Sequence, residues 1–375
     1  MTLASAPVRA GPDCVSATIG IAEKLEELGA RYDAAPVYPA DSIAQIVRAG
    51  LHRTFAPVAS GGQSFRDDDQ RHLAMLDILR IIGRADLSIG RLYEGHLNAM
   101  LLFGWYGSPV QLHALKRSLS AGAIYGVWAT ESPPGVAIME TQSGNVLEGS
   151  KSFATGAGGN SHALITARRP DGDTQLVIVR ADDPKRADLS QWRVRGMRAT
   201  GSGSYALDGL AIAPEHCLGE GGDYQRDPWF TAGAWRFAAV QLGGIEGLLT
   251  EIRNAMRPAA RQDPVQRARF ADAVASARTA YMWVRECALR AASQDPDGPA
   301  LVQMTRGIVE RAGLDMIEAA ARITGTYSAL DGTRIDKISR DLSLYLRQAG
   351  PDYARDCAAK AWLERDPWGP TERLW

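Results

Sequence analysis

The first third of the chain has hydrophobic residues at helical spacing. Ile21, Leu25 and Leu28 share one face of a predicted α-helix, which ends near Gly29. A longer helical tract follows the loop PVASGGQSFRDDD and continues to about Leu102. Its apolar stripe consists of five residues at helical spacing, namely Ile89, Leu92, His96, Ala99 and Phe103. These patterns predict an N-terminal helical domain over residues 1–120.

Near residue 108 a further helix is predicted from its start signals. Ser108 is a favourable N-cap, and Pro109 fits the first helical position, where its missing N–H has no cost. From about Ala123 the hydrophobic period changes to that of short strands separated by turn residues. The segments are AIYGVWAT, VAIME, NVLEGSKSFAT, HALITAR, TQLVIVR, SQWRVRGM and SYALDGLAI. They predict a compact, antiparallel β domain over residues 121–222.

Helical patterns return beyond about residue 226. Asp263 and Pro264 form a clear helix start, and later helices are predicted to end near Gly325 and Gly350. Gly243 and Gly244 lie in an apolar tract, where two helices that cross closely would favour residues without side chains. The sequence therefore predicts a C-terminal helical bundle over residues 223–375.

Composition narrows the functional class. The 375 residues are 45% hydrophobic and 23% charged with a formal net charge of -1, so neither nucleic acid nor an anionic membrane surface is an expected partner. We expect a soluble cytoplasmic protein, because no apolar stretch approaches the roughly 18 to 20 residues that span a bilayer. The four cysteines lie far apart without a CxxC pair, which predicts reduced thiols and no metal site.

The glycine-rich segment GAGGN, from Gly156 to Asn160, invites a dinucleotide-binding interpretation. A phosphate-binding loop of that kind must open a helix, whereas the next segment, HALITAR, has a strand pattern. We therefore predict a loop between two strands. The chain contains no GxSxG, HExxH or P-loop motif, and the six histidines have no metal-ligand spacing, so hydrolase and metalloenzyme functions have little support.

Three segments in sequence order resemble the acyl-CoA dehydrogenase superfamily. They are AIYGVWATES, LEGSKSFATGAGGNSHALITAR and GMRATGSGSYALDGLAIAPEHCLG, and GSPVQLHAL and ISRDLSLYL extend the resemblance over most of the chain. RLYEGH and the helix that starts at Asp263 are similar to the subgroup that contains two-component flavin monooxygenases. The resemblance implies an α+β fold with an N-terminal helical domain, a central antiparallel β-barrel-like domain and a C-terminal four-helix bundle, assembled as a homotetramer or homodimer.

The resemblance also implies a flavin between the β domain and the C-terminal helices. FAD is the expected cofactor and FMN the alternative. Thr130 and Thr155 occupy the hydroxyl positions that contact the isoalloxazine ring, and Phe153 occupies the aromatic position beside it. A ring with an apolar face and a polar edge suits such a mixed pocket.

Other residues match the family's phosphate and substrate positions. In the family a neighbouring subunit contributes to binding the pyrophosphate, and the corresponding residues are Arg257 or Arg261, and Arg322 with Gly325. Arginine suits phosphate through its forked donors. The aromatic candidates for the substrate pocket are Trp128, Trp235 and Tyr345.

The carboxylate base of the dehydrogenases is missing from its expected positions. Counting from the Arg340–Asp341 pair places it at Ala349, and the second site used by some members falls at Ala234 or Trp235. None of these side chains can accept a proton, although desaturation of an acyl thioester needs a base beside the flavin.

Two residues match histidines that line the pockets of the flavin monooxygenases. His96 matches the first and Gln348 the second, which makes them the catalytic candidates. The alternative for His96 is a hydrogen-bonded core residue, since it lies on an apolar stripe.

Three functional hypotheses follow. The first is a flavin-dependent oxidoreductase that acts on an acyl-CoA or related acyl substrate without the usual glutamate. The second is a two-component monooxygenase that uses reduced flavin and O2. The third is a flavin-free, non-catalytic binding module. The expected electron partner is a flavin reductase or an electron-transfer flavoprotein, and the identity of the small-molecule substrate stays open.

Overall fold

A computed structural model describes residues 13–348 and 350–364 of the chain. Its first part is helical up to Ser120. The helices are α1 (Cys14–Ala34), α2 (Ala40–Arg48), α3 (Leu51–Thr54), α4 (Asp68–Ala85), α5 (Leu87–Tyr106) and α6 (Pro109–Ser120). The predicted start of α6 is confirmed, because the Ser108 hydroxyl accepts a hydrogen bond from Gln111 N and the Gln111 side chain accepts one from Ser108 N.

The long helical tract that the sequence predicts is divided into α4 and α5. Asp86 lies between them with an extended backbone, and its carboxylate accepts a hydrogen bond from Ser88 N as the N-cap of α5. Capping satisfies a backbone donor that the second helix would otherwise leave unpaired. A periodic pattern alone does not reveal this break, since the apolar spacing continues through it.

Strands occupy the middle of the chain, but the prediction of a strand at SQWRVRGM is wrong, because residues 190–197 form turns, bends and irregular backbone. The strands are β1 (Tyr125–Trp128), β2 (Ala137–Thr141), β3 (Gly144–Glu148), β4 (Ser150–Ala154), β5 (His162–Arg168), β6 (Thr174–Arg180), β7 (Ala187–Asp188), β8 (Gly203–Ala206), β9 (Ala211–Ile212) and β10 (Cys217–Leu218). The segment from Gly156 to Asn160 is a turn between β4 and β5, which confirms the prediction of a loop between strands.

The strands form two sheets, and one of them is mixed. The larger sheet has the order β10-β6-β5-β2-β3-β9 with β1 also paired to β5, and the smaller sheet has the order β4-β8-β7. β1 and β2 both pair with β5 in parallel, so the prediction of a purely antiparallel domain is wrong. Turn residues predict pairing only between strands that are consecutive in sequence. β1 and β5 are separated by three other strands, so no turn signal predicts that they pair.

Helices return after the strands. They are α7 (Trp229–Ala232), α8 (Trp235–Ala255), α9 (Pro258–Gln262), α10 (Pro264–Ala292), α11 (Gly298–Thr324), α12 (Arg334–Tyr345) and α13 (Pro351–Glu364). Asp263 caps α10 by accepting a hydrogen bond from Val265 N, as the sequence predicts. Within the described ranges, no helix combines the length and the apolar character that crossing a membrane requires.

One hydrophobic core joins the two helical parts of the chain. Buried residues from α1, α4 and α5 belong to the same cluster as those of α8, α10, α11 and α12. α4 packs against both α8 and α10, so an N-terminal helix lies among the C-terminal ones. A separate four-helix bundle formed by the C-terminal helices alone stays a prediction.

The crossing of α4 and α8 depends on glycine. A Cβ atom at Gly243 would overlap the carbonyl oxygen of Arg80, and one at Gly83 would overlap the carbonyl oxygen of Val240. The two helix backbones are therefore close enough to exclude side chains on both sides. This confirms the predicted role of the Gly243–Gly244 pair.

The Arg340–Asp341 pair joins the last helices to the β part of the chain. Asp341 is buried, accepts a hydrogen bond from Met197 N at 2.6 Å and forms an ion pair with Lys337 at 2.7 Å. Lys337 also reaches Asp86, the cap of α5, at 3.3 Å. Burial alone would lower the pKa of Lys337, but the two carboxylates raise it above its usual value. The ammonium group therefore stays charged and ties α12 to the start of α5.

Replacing Gly243 by alanine should lower the free energy of unfolding by about 2 kcal/mol, because the added methyl group must push α4 away from α8. The matched control is Gly20→Ala on the exposed side of α1, where nothing lies within 4 Å of the added Cβ. That change should raise the free energy of unfolding by about 0.5 kcal/mol through helix propensity. Urea denaturation of both variants tests the crossing, and equal effects of the two substitutions would contradict it.

Candidate active site

A cavity of about 570 Å³ lies between α5, the end of β1 and the segment from Tyr224 to Phe237, with α11 at its side. Thr130 and Gln348, two of the predicted site residues, line it. A second cavity, of about 690 Å³ between α6 and the larger sheet, contains none of the predicted residues. We therefore take the first as the candidate active site, and its volume suits a small organic ligand.

One face of α5 forms the polar wall of this cavity. Arg91, Glu94, Asn98 and Trp105 line it at intervals of a helical turn. The residues of the predicted apolar stripe through His96 are offset from these residues by two positions in the sequence. Two positions correspond to a rotation of roughly 200° around the helix axis. The two sets of residues therefore lie on opposite faces of α5, and the helix is buried on both.

A buried hydrogen-bond network connects α5 to α8 along the wall. Glu94 is only 3% exposed. Its Oε2 accepts from Arg91 at 2.5 Å and its Oε1 accepts from Asn98 Nδ2 at 2.5 Å. The Asn98 Oδ1 atom in turn accepts from Arg236 Nε at 2.5 Å. The cavity thus contains a carboxylate, which the search for the family's base at Ala349 and in α8 did not find.

Burial determines the ionisation of the groups around Glu94. It lowers the pKa of Arg236 to about 10, against the opposing effect of the Glu94 charge. Burial also raises the pKa of Tyr224 to about 12 and that of Tyr345 well above its usual value. At neutral pH the guanidinium is therefore charged and both phenols are neutral.

The edge of the β region meets the cavity at Thr130. This residue follows β1, its side chain is exposed at the cavity, and its carbonyl oxygen accepts a hydrogen bond from Ser152 N on β4 at 3.0 Å. Phe153, which follows Ser152 on β4, lies in an irregularity of the β4–β8 pairing. Its backbone has a φ of 51°, and its side chain is 66% exposed. A bulky residue seldom adopts that backbone conformation, and such strain tends to occur at functional sites. The structure therefore presents an exposed aromatic ring at the residue after Ser152, whose backbone bonds to Thr130.

Thr155 lies at the end of the same strand but is buried. Its hydroxyl is 3.0 Å from the Ser202 hydroxyl, and Ser202 donates to Thr200 at 2.9 Å. The carbonyl oxygen of Thr155 accepts from Trp128 Nε1 at 3.0 Å. The hydroxyl groups of Thr155, Ser202 and Thr200 thus form a continuous buried chain just after the end of β4.

The three predicted aromatic pocket residues are buried in the protein core. Trp128 packs against Tyr205 within the β core, because alternate residues of a strand face opposite sides and Val127 and Ala129 take the cavity side. Trp235 and Tyr345 belong to the helical core. Burial and the charge of Glu94 both raise the pKa of Tyr345, and its hydroxyl has no hydrogen-bond partner among the described residues.

His96 is a core residue in this structure. Its Nε2 atom bonds to the carbonyl oxygen of His52, and its Nδ1 atom accepts from Tyr125 N at 3.0 Å. Burial lowers its pKa to about 4, so it is neutral at physiological pH. With both ring nitrogens bonded to backbone and the ring outside the cavity wall, its expected catalytic role has no support in this geometry.

The remaining predicted residues are dispersed. Gln348 lines the cavity, whereas Ala349 lies outside the described residues. The position of the alternative base, Ala234, faces the cavity as an alanine. The family's phosphate-binding positions lie on the exposed surface away from the cavity wall: Arg257, Arg261, which donates to the carbonyl of Met256, Arg322, which pairs with Glu318, and Gly325 with a φ of 60°. A phosphate contact to a second subunit through these residues stays a prediction.

The sequence analysis missed the polar face of α5, although a signal for it was present. Arg91, Glu94 and Asn98 have helical spacing within a tract whose other residues are mostly apolar. Charged residues inside such a helix are normally paired or line a cavity, because isolated burial of a charge is costly. The partner on α8, Arg236, has no comparable signal, since only folding brings it to Asn98.

Comparison with known proteins relates this architecture to a family. Residues 219–354 match the model of the acyl-CoA dehydrogenase C-terminal domain. Dibenzothiophene monooxygenase of Mycolicibacterium goodii is 26% identical over 295 residues, which is 69% of this chain and 71% of that protein.

Solved structures show the same fold. FMN-bound TdsC from Paenibacillus sp. A11-2 has a TM-score of 0.83 at 19% identity and covers 94% of this chain and 97% of its own. The nitrososynthase from Micromonospora carbonacea var. africana has a TM-score of 0.77 at 19% identity, with coverage of 95% and 98%.

The domain match, the relative and the shared fold agree with the motifs in the sequence. The three-part division of the chain and its assembly state stay predictions. Residues 219–354 match the C-terminal domain of the acyl-CoA dehydrogenases, and the chain as a whole is similar to flavin-dependent monooxygenases that share this fold.

Proposed function

We propose that the protein is a flavin-dependent monooxygenase that receives reduced FMN from a separate reductase and oxygenates a small organic substrate. The observation that supports this proposal is the hydrogen bonding of the Glu94 carboxylate in the cavity. Glu94 is the acidic residue among the described cavity-lining residues, and both of its oxygen atoms already accept hydrogen bonds. Its carboxylate therefore has a structural role, and its hydrogen bonding does not fit that of a base that removes a proton from a substrate.

This observation separates the first two hypotheses. An acyl-CoA dehydrogenase needs a carboxylate free to remove the α proton, and the positions at which the family places it hold alanine or tryptophan. A monooxygenase has no such requirement. The acyl-CoA hypothesis therefore has no support in the site, and the second hypothesis fits it better.

The relatives favour the same choice. Among them are a dibenzothiophene monooxygenase, a nitrososynthase and the FMN-bound TdsC structure. We infer FMN as the cofactor of this chain on that basis, in place of the FAD expected from the sequence. A substrate in the size range of one or two aromatic rings would suit a cavity of about 570 Å³.

The residues at the β edge fit a flavin. The exposed ring of Phe153 offers an apolar surface for one side of the isoalloxazine, and the Thr130 hydroxyl offers a hydrogen-bonding group for its edge. The chain of hydroxyls that begins at Thr155 fixes the backbone that carries the ring. The strained φ of Phe153 would then be offset by the contact that it makes possible.

The bound reduced flavin would supply two electrons, with which O2 gives one oxygen atom to the substrate and the other to water. The protein's part is to orient the substrate and to exclude water. Trp105 and Trp229 stack with ring centroids 5.8 Å apart at the cavity and make its outer wall apolar. The network around Glu94 keeps the α5 wall in place.

Replacing Phe153 by alanine should weaken FMN binding about fivefold, since an aromatic contact contributes on the order of 1 kcal/mol. Folding should change little, because the ring is exposed. The control is Met139→Ala on β2, another exposed apolar residue of the β region, which should leave affinity unchanged. Fluorescence titration of each variant with FMN and with FAD measures the affinities. Equal FMN affinities of the two variants would remove Phe153 from the site, and no saturable binding by the unaltered protein would favour the non-catalytic module.

The reaction type can be tested without knowing the substrate. Anaerobic octanoyl-CoA should leave the absorbance of bound oxidised FMN unchanged, because no described side chain in the cavity is free to remove its α proton. Reduced FMN mixed with oxygenated buffer should be reoxidised at a rate that depends on added protein and saturates at one flavin per chain. Bleaching by octanoyl-CoA would restore the dehydrogenase hypothesis. Reoxidation that is indifferent to the protein would contradict the monooxygenase.

A further inference from the structure

The candidate active site carries an excess of positive charge. Three arginines, Arg91, Arg236 and Arg306, line it against the single carboxylate of Glu94 among the described residues. Arg91 forms an ion pair with Glu94 at 2.5 Å. That carboxylate therefore pairs with Arg91, and Arg236 brings a further positive charge to the cavity wall.

Arg236 is the best placed of these groups to meet a ligand. It is 8% exposed and lines the cavity. Within the described part of the chain it makes one hydrogen bond, from Nε to the neutral amide oxygen of Asn98. The Asn98 side chain lies between Arg236 and Glu94, so the arginine does not pair with the carboxylate directly.

The surroundings of Arg236 leave space for its terminal nitrogens. A Cβ atom at position 233 would collide with its Nη2 atom, so Gly233 keeps this part of the wall clear. A buried guanidinium with one neutral hydrogen-bond partner retains unused donors, and an anion that bonded to them directly would offset part of the cost of burial. Burial lowers the pKa of Arg236 only to about 10, so the charge persists at neutral pH.

The rest of the cavity is apolar and aromatic. Trp105 and Trp229 stack at one side, and Phe237 lies beneath the guanidinium of Arg306 at 5.5 Å. Phe230 is half exposed at the same wall. A ligand that matches both parts has an anionic group and an apolar body.

We propose that the cavity selects an organic anion, a carboxylate or sulfonate attached to an aromatic or alkyl body, and that Arg236 binds its charged group. This inference rests on the proposed monooxygenase function, for which it names the substrate class. A phosphate shares the anionic chemistry, and the phosphate of FMN is a second source of it. The test must therefore separate a substrate anion from the cofactor.

The test uses calorimetric titration of the FMN-saturated protein with 2-naphthoate and with 2-naphthamide, which differ in charge but hardly in size. The unaltered protein should bind the carboxylate at least about tenfold more tightly, as expected for a hydrogen-bonded charge. Arg236→Gln should remove most of that preference, and Arg236→Lys should retain part of it because the charge remains. Arg285→Gln, at an exposed position of α10, is the control that should change nothing.

Three results would overturn the proposal. The first is that naphthoate and naphthamide bind the unaltered protein with equal affinity. The second is that Arg236→Gln keeps the preference for naphthoate. The third is that Arg236→Gln loses affinity for FMN, which would assign the arginine to the cofactor's phosphate. Thermal melting of each variant separates loss of the fold from loss of selectivity, and Arg236→Lys keeps the test decisive if Arg236→Gln does not fold. Preference for the carboxylate in a protein that binds no flavin would support the anion site and contradict the proposed function.

Discussion

The buried carboxylate of Glu94 is the constraint on which the site depends. It lies in a helix that is buried on nearly all sides, and it is satisfied by Arg91 on the same helix and by Asn98 one turn later. Removing one member of such a network leaves a charge without a partner, at a cost of several kcal/mol. Asn98 then reaches Arg236. This network therefore connects α5 to α8 at the wall of the cavity.

The scaffold holds this arrangement by close packing and by a second set of buried charges. α4 and α8 cross at glycines, and the resulting backbone contact leaves little freedom for α8 to shift. At the other end of α5, Lys337 joins the capping Asp86 to Asp341, and Asp341 accepts a hydrogen bond from the backbone of Met197. A binding site needs such rigidity when its walls come from distant parts of the chain, as those of this cavity do.

The site differs from a dehydrogenase site in what its charges do. A base for proton removal must be available to the substrate, whereas both oxygen atoms of Glu94 accept hydrogen bonds from side chains of the wall. The strained Phe153 and the nearby Thr130 retain the features that suit a flavin. A superfamily fold can thus keep its cofactor-binding edge while the chemistry of the facing helix changes, since the two lie on separate elements.

Local signals in the sequence determined the order of helices, strands and helices and several element boundaries. Ser108 and Asp263 cap the helices that were predicted from them, and Gly243 lies at the predicted crossing, because capping and steric exclusion depend on residue type at a single position. Only the tertiary structure decided which face of α5 lines the cavity and that β1 pairs with β5 in parallel. It also placed Arg236 against Asn98, although 138 residues separate them. Such contacts depend on how distant elements pack, and hydrophobic spacing within one segment carries no information about its partner.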